Sequence, residues 1–295
     1  MSSRPPDLTR QQIGYAYDPR LAPLLTIDPG ATVVIETHDA RAGALDDREP
    51  GTLFELPKPP AQGNPITGPI AIRGAHPGDA LAITILAIDV EPAGWAGGHA
   101  HVNPLSPGRV PRPLGRRVAI KDGRVHFSER FVLPLRPMIG CLGVAPALEP
   151  GATPPTSGQM GRYGGNMDQP VVAAGATVHL PVAVPDALLY VGDIHALQGD
   201  GELSGVGLEI AATVTLRVDL LPGDAPSWPW ALWDDRIAVM VSDEDFTTAR
   251  REACEAAEAM ALLSVAGDMR IGQTMGRGAM TLRLELPRFP GLAPA

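Results

Sequence analysis

The chain has 295 residues, 44% hydrophobic and 19% charged, with a formal net charge of −9. That length can bury a large core in one domain, 1–295, or in two intimately packed β halves of it. The acidic balance leaves no Lys/Arg cluster to neutralise phosphates, which argues against nucleic acid as a partner, and apolar runs such as 80–90 fall far short of the ~20 residues of a membrane-spanning helix.

The first ten residues, MSSRPPDLTR, lack a secretory apolar core, so a soluble, cytoplasmic protein is expected. Two cysteines, Cys141 and Cys254, could form one bridge at most and read as free buried thiols. Glycine (33) and proline (32) are spread along the chain, a pattern that suits many short strands joined by turns. Residues 32–36, 69–73, 81–89, 124–127 and 188–191 read as strands. In 207–221 the apolar side chains Leu208, Ile210, Ala212, Val214, Leu216, Val218 and Leu220 alternate with Glu209, Thr213, Thr215, Arg217 and Asp219. This is the period of a long half-buried strand. Met280, Leu282, Leu284 and Leu286 alternate with Thr281, Arg283 and Glu285 in the same way. One segment differs. From 243 to 263, Phe246, Ala249, Ala253, Ala256, Ala257, Met260 and Leu263 recur at helical spacing behind Ser242 as N-cap, with Asp245 three residues on and Gly267 as terminator. The expected fold is mainly β, an antiparallel sandwich with one late helix. Its short strands with exposed edges make a homodimer the expected assembly.

Nucleophilic chemistry has little support in the sequence. Cys141 lies in the apolar, glycine-rich MIGCLGVAP and Cys254 among helix alanines, both packing environments. Lysine occurs only as Lys58, in PKPP, and Lys121, in the turn KDG, which leaves no evident partner for a Ser–Ser–Lys or Cys–Glu–Lys amidase. A G-x-S-x-G elbow is also missing.

Metal chemistry is better represented. The stretch GDIHALQGDGE, 192–202, carries Asp193 and His195 two residues apart, which an extended backbone projects to one side; Asp200 and Glu202 repeat the spacing after a glycine. One histidine among carboxylates suits Zn²⁺ or a comparable transition ion, and further oxygens could hold Ca²⁺. Asp39 in THDA follows a strand, and Asn166 and Asp168 stand in the glycine-flanked GGNMDQP. His99 and His101 have the H-x-H spacing of metal sites but lie in a Pro/Gly-rich loop, while His76, His126 and His179 read as turn or strand residues.

In this order, THDA, NPITGPIAIRGAHPGDALAITILAIDV, MIGCLGVAP, GGNMDQP, GDIHALQGDGELSGVGLEIAATVTLRVDL and DMRIGQTM resemble the acetamidase/formamidase family from about residue 30 to 286. The segment from 99 to 117 and His38 do not match it. The resemblance implies a jelly-roll type of sandwich and hydrolysis of a short carboxamide to a carboxylate and ammonia. It falls on Asp39, Asn166, Asp168, Asp193, His195, Gln198, Asp200 and Glu202. The mechanism built on these positions has a metal on His195, Asp193, Asp39 and Glu202, with Asp168 as a further ligand, activating water against the amide carbon. Asn166 or Gln198 would steady the developing oxyanion, and Glu202 or Asp200 would move the proton to nitrogen. Two other readings stay open: hydrolysis of another small C–N substrate, ureido or larger amide, and a noncatalytic β-sandwich module in which Ca²⁺ orders the 192–202 loop.

Overall fold

The computed structural model describes residues 5–57, 62–98, 113–257, 264–274 and 279–288. Lys58, His99, His101, Met260 and Leu263 lie outside them. Among the described residues the strands form three sheets, antiparallel except where Leu25–Ile27 runs parallel to Ile66–Ile72.

The alternating segments build the largest sheet. Its strand order is Asp268–Gln273, Met280–Pro287, Arg236–Asp243, Trp230–Trp233, Thr177–Pro181, Ala80–Val90, Ala212–Leu221 and Ala31–Thr37. A second, seven-stranded sheet is centred on Ile66–Ile72, Leu189–His195 and Met138–Val144, every residue of which is buried. Burial on both faces explains why Met138–Val144, MIGCLGV, reads as a continuous apolar and glycine run. Val33, Ile35, Leu81, Ile83, Val214 and Leu216 of the large sheet share one core with Ile70, Ile72, Leu142, Val144, Leu189 and Val191 of the second. The two sheets therefore face each other as a sandwich. A third, five-stranded sheet contains Ala93–Gly98, Leu114–Lys121 and Arg124–His126.

Three details differ from expectation. The helix runs Phe246–Ala256, and its N-cap is Asp245, whose carboxylate accepts from the Thr248 N–H at 2.7 Å. Ser242 instead pairs with Thr281 in the sheet, so its backbone is committed to the ladder. Ala249 and Ala253 are buried as the spacing requires, but Phe246 is exposed in the first turn.

Regular pairing in the long alternating segment begins only at Ala212. Before it, Glu209 makes isolated bridges to both Trp95 and His195. It is buried, not on a solvated face, because the Ala93–Gly98 strand covers that side.

The Met280–Pro287 strand keeps its alternation, with Leu282, Leu284 and Leu286 packed against the helix cluster. Yet Thr281, Arg283 and Glu285 on the other face are buried too. Thr281 and Arg283 bond to the segments that carry the candidate site, and Glu285 pairs with Arg283, Arg270 and Arg236.

Candidate metal centre

The backbone brings the acidic residues together by leaving ordinary strand geometry at each of them. Asp168, Asp193 and Glu202 all have positive φ, at 46°, 56° and 42°. Left-handed backbone at a non-glycine residue costs ~1–2 kcal/mol, and three such residues converging on one point mark a site whose surroundings enforce them. Asp193 sits opposite Gly140, where the ladder between Leu189–His195 and Met138–Val144 skips a pair. A Cβ at Gly140 would lie 2.5 Å from Asp168 Oδ1 and 2.8 Å from Asp193 Oδ2. The glycine is thus the floor on which the two carboxylates meet.

His195 is the centre of the cluster. Its Nε2 lies 3.2 Å from Glu209 Oε1 and 3.6 Å from Asp193 Oδ1, all three residues being buried. Its Nδ1 is 2.6 Å from Gln198 Oε1. The Gln198 amide nitrogen donates to Asp168 O at 2.8 Å and Gly272 O at 3.1 Å, which fixes the amide's orientation. Its oxygen must therefore accept from Nδ1–H, and Nε2 is the nitrogen turned to the carboxylates. A Cβ at Gly207 would strike the imidazole ring, so that residue too is held small by close approach.

Asp168, Asp193 and His195 offer ligand atoms within 4.8 Å of one another, as do His195, Glu202 and Glu209. The two groups share His195. Asp168 Oδ1, Asp193 Oδ1 and Glu209 Oε2 are buried and have no hydrogen-bond partner among the described residues. The other oxygens are held. Asn64 Nδ2 donates to Asp193 Oδ2 at 2.5 Å and Asn166 Nδ2 to Asp168 Oδ2 at 2.7 Å, while the Gly207 N–H donates to Glu209 Oε1 at 2.9 Å.

The electrostatics express crowding of like charge in a dry place. Burial, then the Asp193 charge, pushes the Asp168 carboxyl up to about 8. Burial and neighbouring carboxylates raise Glu202 and Glu209 as well. For His195 burial acts downward, but Glu209 and Asp193 more than offset it and hold the imidazole well above its ordinary value.

The resemblance-implied residues divide into two sets. Asn166, Asp168, Asp193, His195, Gln198 and Glu202 converge. Asp39 stands beside the cluster, behind Trp95: its Oδ1 accepts from the Arg41 N–H at 2.6 Å and the Trp95 indole at 3.3 Å. Asp200 turns outward to Arg283 at 3.1 Å and Arg270 at 3.6 Å. Glu209 and Asn64 are site residues that sequence reasoning did not single out. For Glu209 the signal was present, as an acid within an apolar strand just downstream of GDIHALQGDGE; Asn64, in NPITGPIAIRG, had none.

The C-terminal hairpin braces the site from outside. Gln273 Nε2 donates to Asn166 O at 2.7 Å and Thr281 Oγ1 to Met167 O at 2.9 Å. Arg283 donates to Gln169 Oε1 at 2.6 Å and to both Asp200 oxygens.

A family model described as Acetamidase/Formamidase matches residues 2–150 and 151–229. The chain belongs to the acetamidase/formamidase family. It is similar to the crystal structure of an acetamidase from Bacillus halodurans, with 32% identity and a TM-score of 0.87 over 95% of this chain and 96% of that one. A putative formamidase of Schizosaccharomyces pombe is 27% identical over 253 residues, which are 66% of this chain and 61% of that protein. A formamidase of Methylophilus methylotrophus is 26% identical over 263 residues, 71% of this chain and 64% of that protein. The chain thus spans less than two thirds of the length of these curated relatives. Within the acetamidase/formamidase frame, Cys141 is a buried thiol, raised well above its usual range by burial, whose Sγ donates to Asn166 Oδ1 at 3.0 Å. No described helix is long and apolar enough to cross a membrane.

Proposed function

We propose that the chain is a metal-dependent amide hydrolase that cleaves a carboxamide to a carboxylate and ammonia. The observation that carries this is His195 Nε2 facing buried carboxylates, three of whose oxygens accept no hydrogen bond among the described residues. Unpaired anions in a dry site are costly, and a divalent cation between His195, Asp168 and Asp193 would answer the carboxylates gathered there. The names of the acetamidase and formamidase relatives support the substrate class.

His195 with Asp168 and Asp193 would hold the cation, with Glu209 Oε1 beside them at 3.2 Å from His195 Nε2. One imidazole with several carboxylates suits Zn²⁺ or a similar transition ion better than Ca²⁺, which prefers an all-oxygen shell. When bound, such an ion supplies Lewis acidity and brings water to its nucleophilic form near neutral pH. The remaining steps belong to the chain. Glu202 takes the proton of the attacking water and returns it to the amide nitrogen, so that ammonia rather than amide ion departs. Asn166 and Gln198 position rather than touch substrate, because their amide groups already hold Asp168 and His195. Gly140 and Asn64 fix the separation of the carboxylates.

Ammonia release from formamide and acetamide, measured beside metal content before and after chelation, tests the proposal. Chelation should abolish release and a transition ion should restore it. Protein shown to be metal-free yet fully active would refute it, and Ca²⁺ alone with no ammonia from any amide would favour a binding module.

A further inference from the structure

A cleft of about 400 Å³ opens beside the cluster, and three residues of the site form part of its wall: Gln198, Glu202 and Gly207. The rest is mostly apolar, with Phe127, Leu133, Leu197, Leu203 and Leu208 in the lining beside Asp200. Phe127, Leu133 and Leu203 are 38%, 40% and 54% exposed, so three large apolar side chains that pack against nothing fully turn towards one concavity. Exposed apolar surface that converges in this way marks a binding site. Formamide and acetamide, with no carbon or one beyond the carboxamide, would leave nearly all of it empty. A volume of this size belongs instead to the range that takes ligands of many heavy atoms.

Resting on the amide-hydrolase reading, we propose that this cleft is an acyl-group site, and that the chain's preferred substrates are primary amides whose acyl part is an apolar chain or ring of about four to eight carbons. The carboxamide lies at the Glu202 end, where proton transfer occurs, and the acyl tail extends over Leu203 towards Phe127 and Leu133. Glu202 supplies the polar end of the site and the leucines and phenylalanine the apolar end. The reaction balances as for any amide: water adds to the carbonyl carbon, the C–N bond breaks, and ammonia and the free carboxylic acid leave.

The expected size of the effect follows from burial. Each methylene seated against apolar side chains contributes ~0.8 kcal/mol, a factor of about three to four. In a series from acetamide through butanamide to hexanamide, kcat/KM for ammonia release should therefore climb about three- to fourfold per carbon. It should level off once the cleft is filled. Leu203→Asp places a charge at the middle of the tail's path, and the hexanamide-to-acetamide ratio of kcat/KM should fall at least tenfold in that variant. Leu203 is an exposed loop residue, so folding is not at risk. Calorimetric titration of both proteins with hexanamide supplies a readout independent of turnover.

A ratio that is flat or falls with chain length while acetamide is cleaved would overturn the acyl site and leave amide hydrolysis standing. If no amide releases ammonia, the hydrolase reading fails; hexanamide binding that is lost in Leu203→Asp would still support an apolar site, and absence of binding would overturn it. If Leu203→Asp changes the sedimentation of the protein and not the chain-length ratio, the cleft is a contact between copies and the proposal is wrong.

Discussion

Replacing Gly140 by alanine adds one methyl group at the point where the two carboxylates meet. The new Cβ would stand 2.5 Å from Asp168 Oδ1 and 2.8 Å from Asp193 Oδ2, and 2.8 Å from the Asp193 carbonyl oxygen. Ordinary contact begins near 3.4 Å, so Asp168 Oδ1 must withdraw by about 0.9 Å and Asp193 Oδ2 by about 0.6 Å. The carbonyl cannot move freely because its strand is paired on both sides. Overpacking of this kind costs ~1–3 kcal/mol, and at roughly 2 °C per kcal/mol for a chain of this size the melting temperature should drop by a few degrees. Function should suffer more. Ligand constellations tolerate shifts of ~0.5 Å, and misplacement by ~1 Å costs on the order of 10²-fold in rate. Gly140→Ala should therefore lose about 10² in turnover per folded molecule and bind metal more weakly, while Gly14→Ala, with nothing within 4 Å of its added Cβ, should match wild type. Scanning calorimetry, elemental analysis of bound metal and ammonia release are measured on all three proteins. A well-folded Gly140→Ala with wild-type turnover and metal content would show that Asp168 and Asp193 are not the operative pair.

The ligand and the shuttle should separate by mutation. His195→Ala should lose metal and activity together, whereas Glu202→Gln should keep metal and lose ~10²–10⁴-fold in rate; metal analysis beside turnover decides, and loss of metal in Glu202→Gln would make it a ligand instead. Asp168, pushed up to about 8, holds a proton in the folded metal-free protein that the unfolded chain releases near 3.8. Its contribution to stability is full below about pH 4 and fades as pH rises through about 8. Urea unfolding of chelated protein should thus show Asp168→Asn gaining on wild type across that interval, and a constant difference would contradict the assignment. Cys141→Ala should destabilise through a small cavity and a lost bond to Asn166, with turnover within a few-fold; complete loss of activity with metal retained would restore the thiol as nucleophile.

How much of this was readable from the sequence follows from which forces act locally. The long strand from Ala212, the Met280–Pro287 strand and the helix announced themselves by period, because each has an apolar face against the core. The helix start did not: Ser242 and Asp245 are both good caps, and the choice was made by Ser242's pairing with Thr281, a contact distant in sequence. The acids of GDIHALQGDGE were conspicuous because an apolar neighbourhood rarely spends so many. Glu209 hid in plain alternation, since only the Ala93–Gly98 strand, more than a hundred residues earlier, converts its face from solvent-facing to buried. Asp200 shows the converse. It shares the motif's spacing with Glu202, yet Arg283 and Arg270 draw it outward, and no local pattern in 192–202 reveals those partners.

The bracing hairpin has a consequence for the order in which the molecule becomes competent. A chain is made from its N-terminus, and the sheets that carry Asp168, Asp193, His195 and Glu209 can assemble before residues 268–287 exist. Until then Asn166 O, Met167 O and the Gln169 side chain, which flank the left-handed turn at Asp168, lack the donors that hold them. On the proposed metal-dependent reading, affinity for a cation would arise at the final docking step, and the ion would act as a latch on a finished molecule and not as a template for folding. Chelation should speed the release of this hairpin ahead of the rest of the sandwich, which hydrogen exchange would register first at the amides of 268–273 and 280–287.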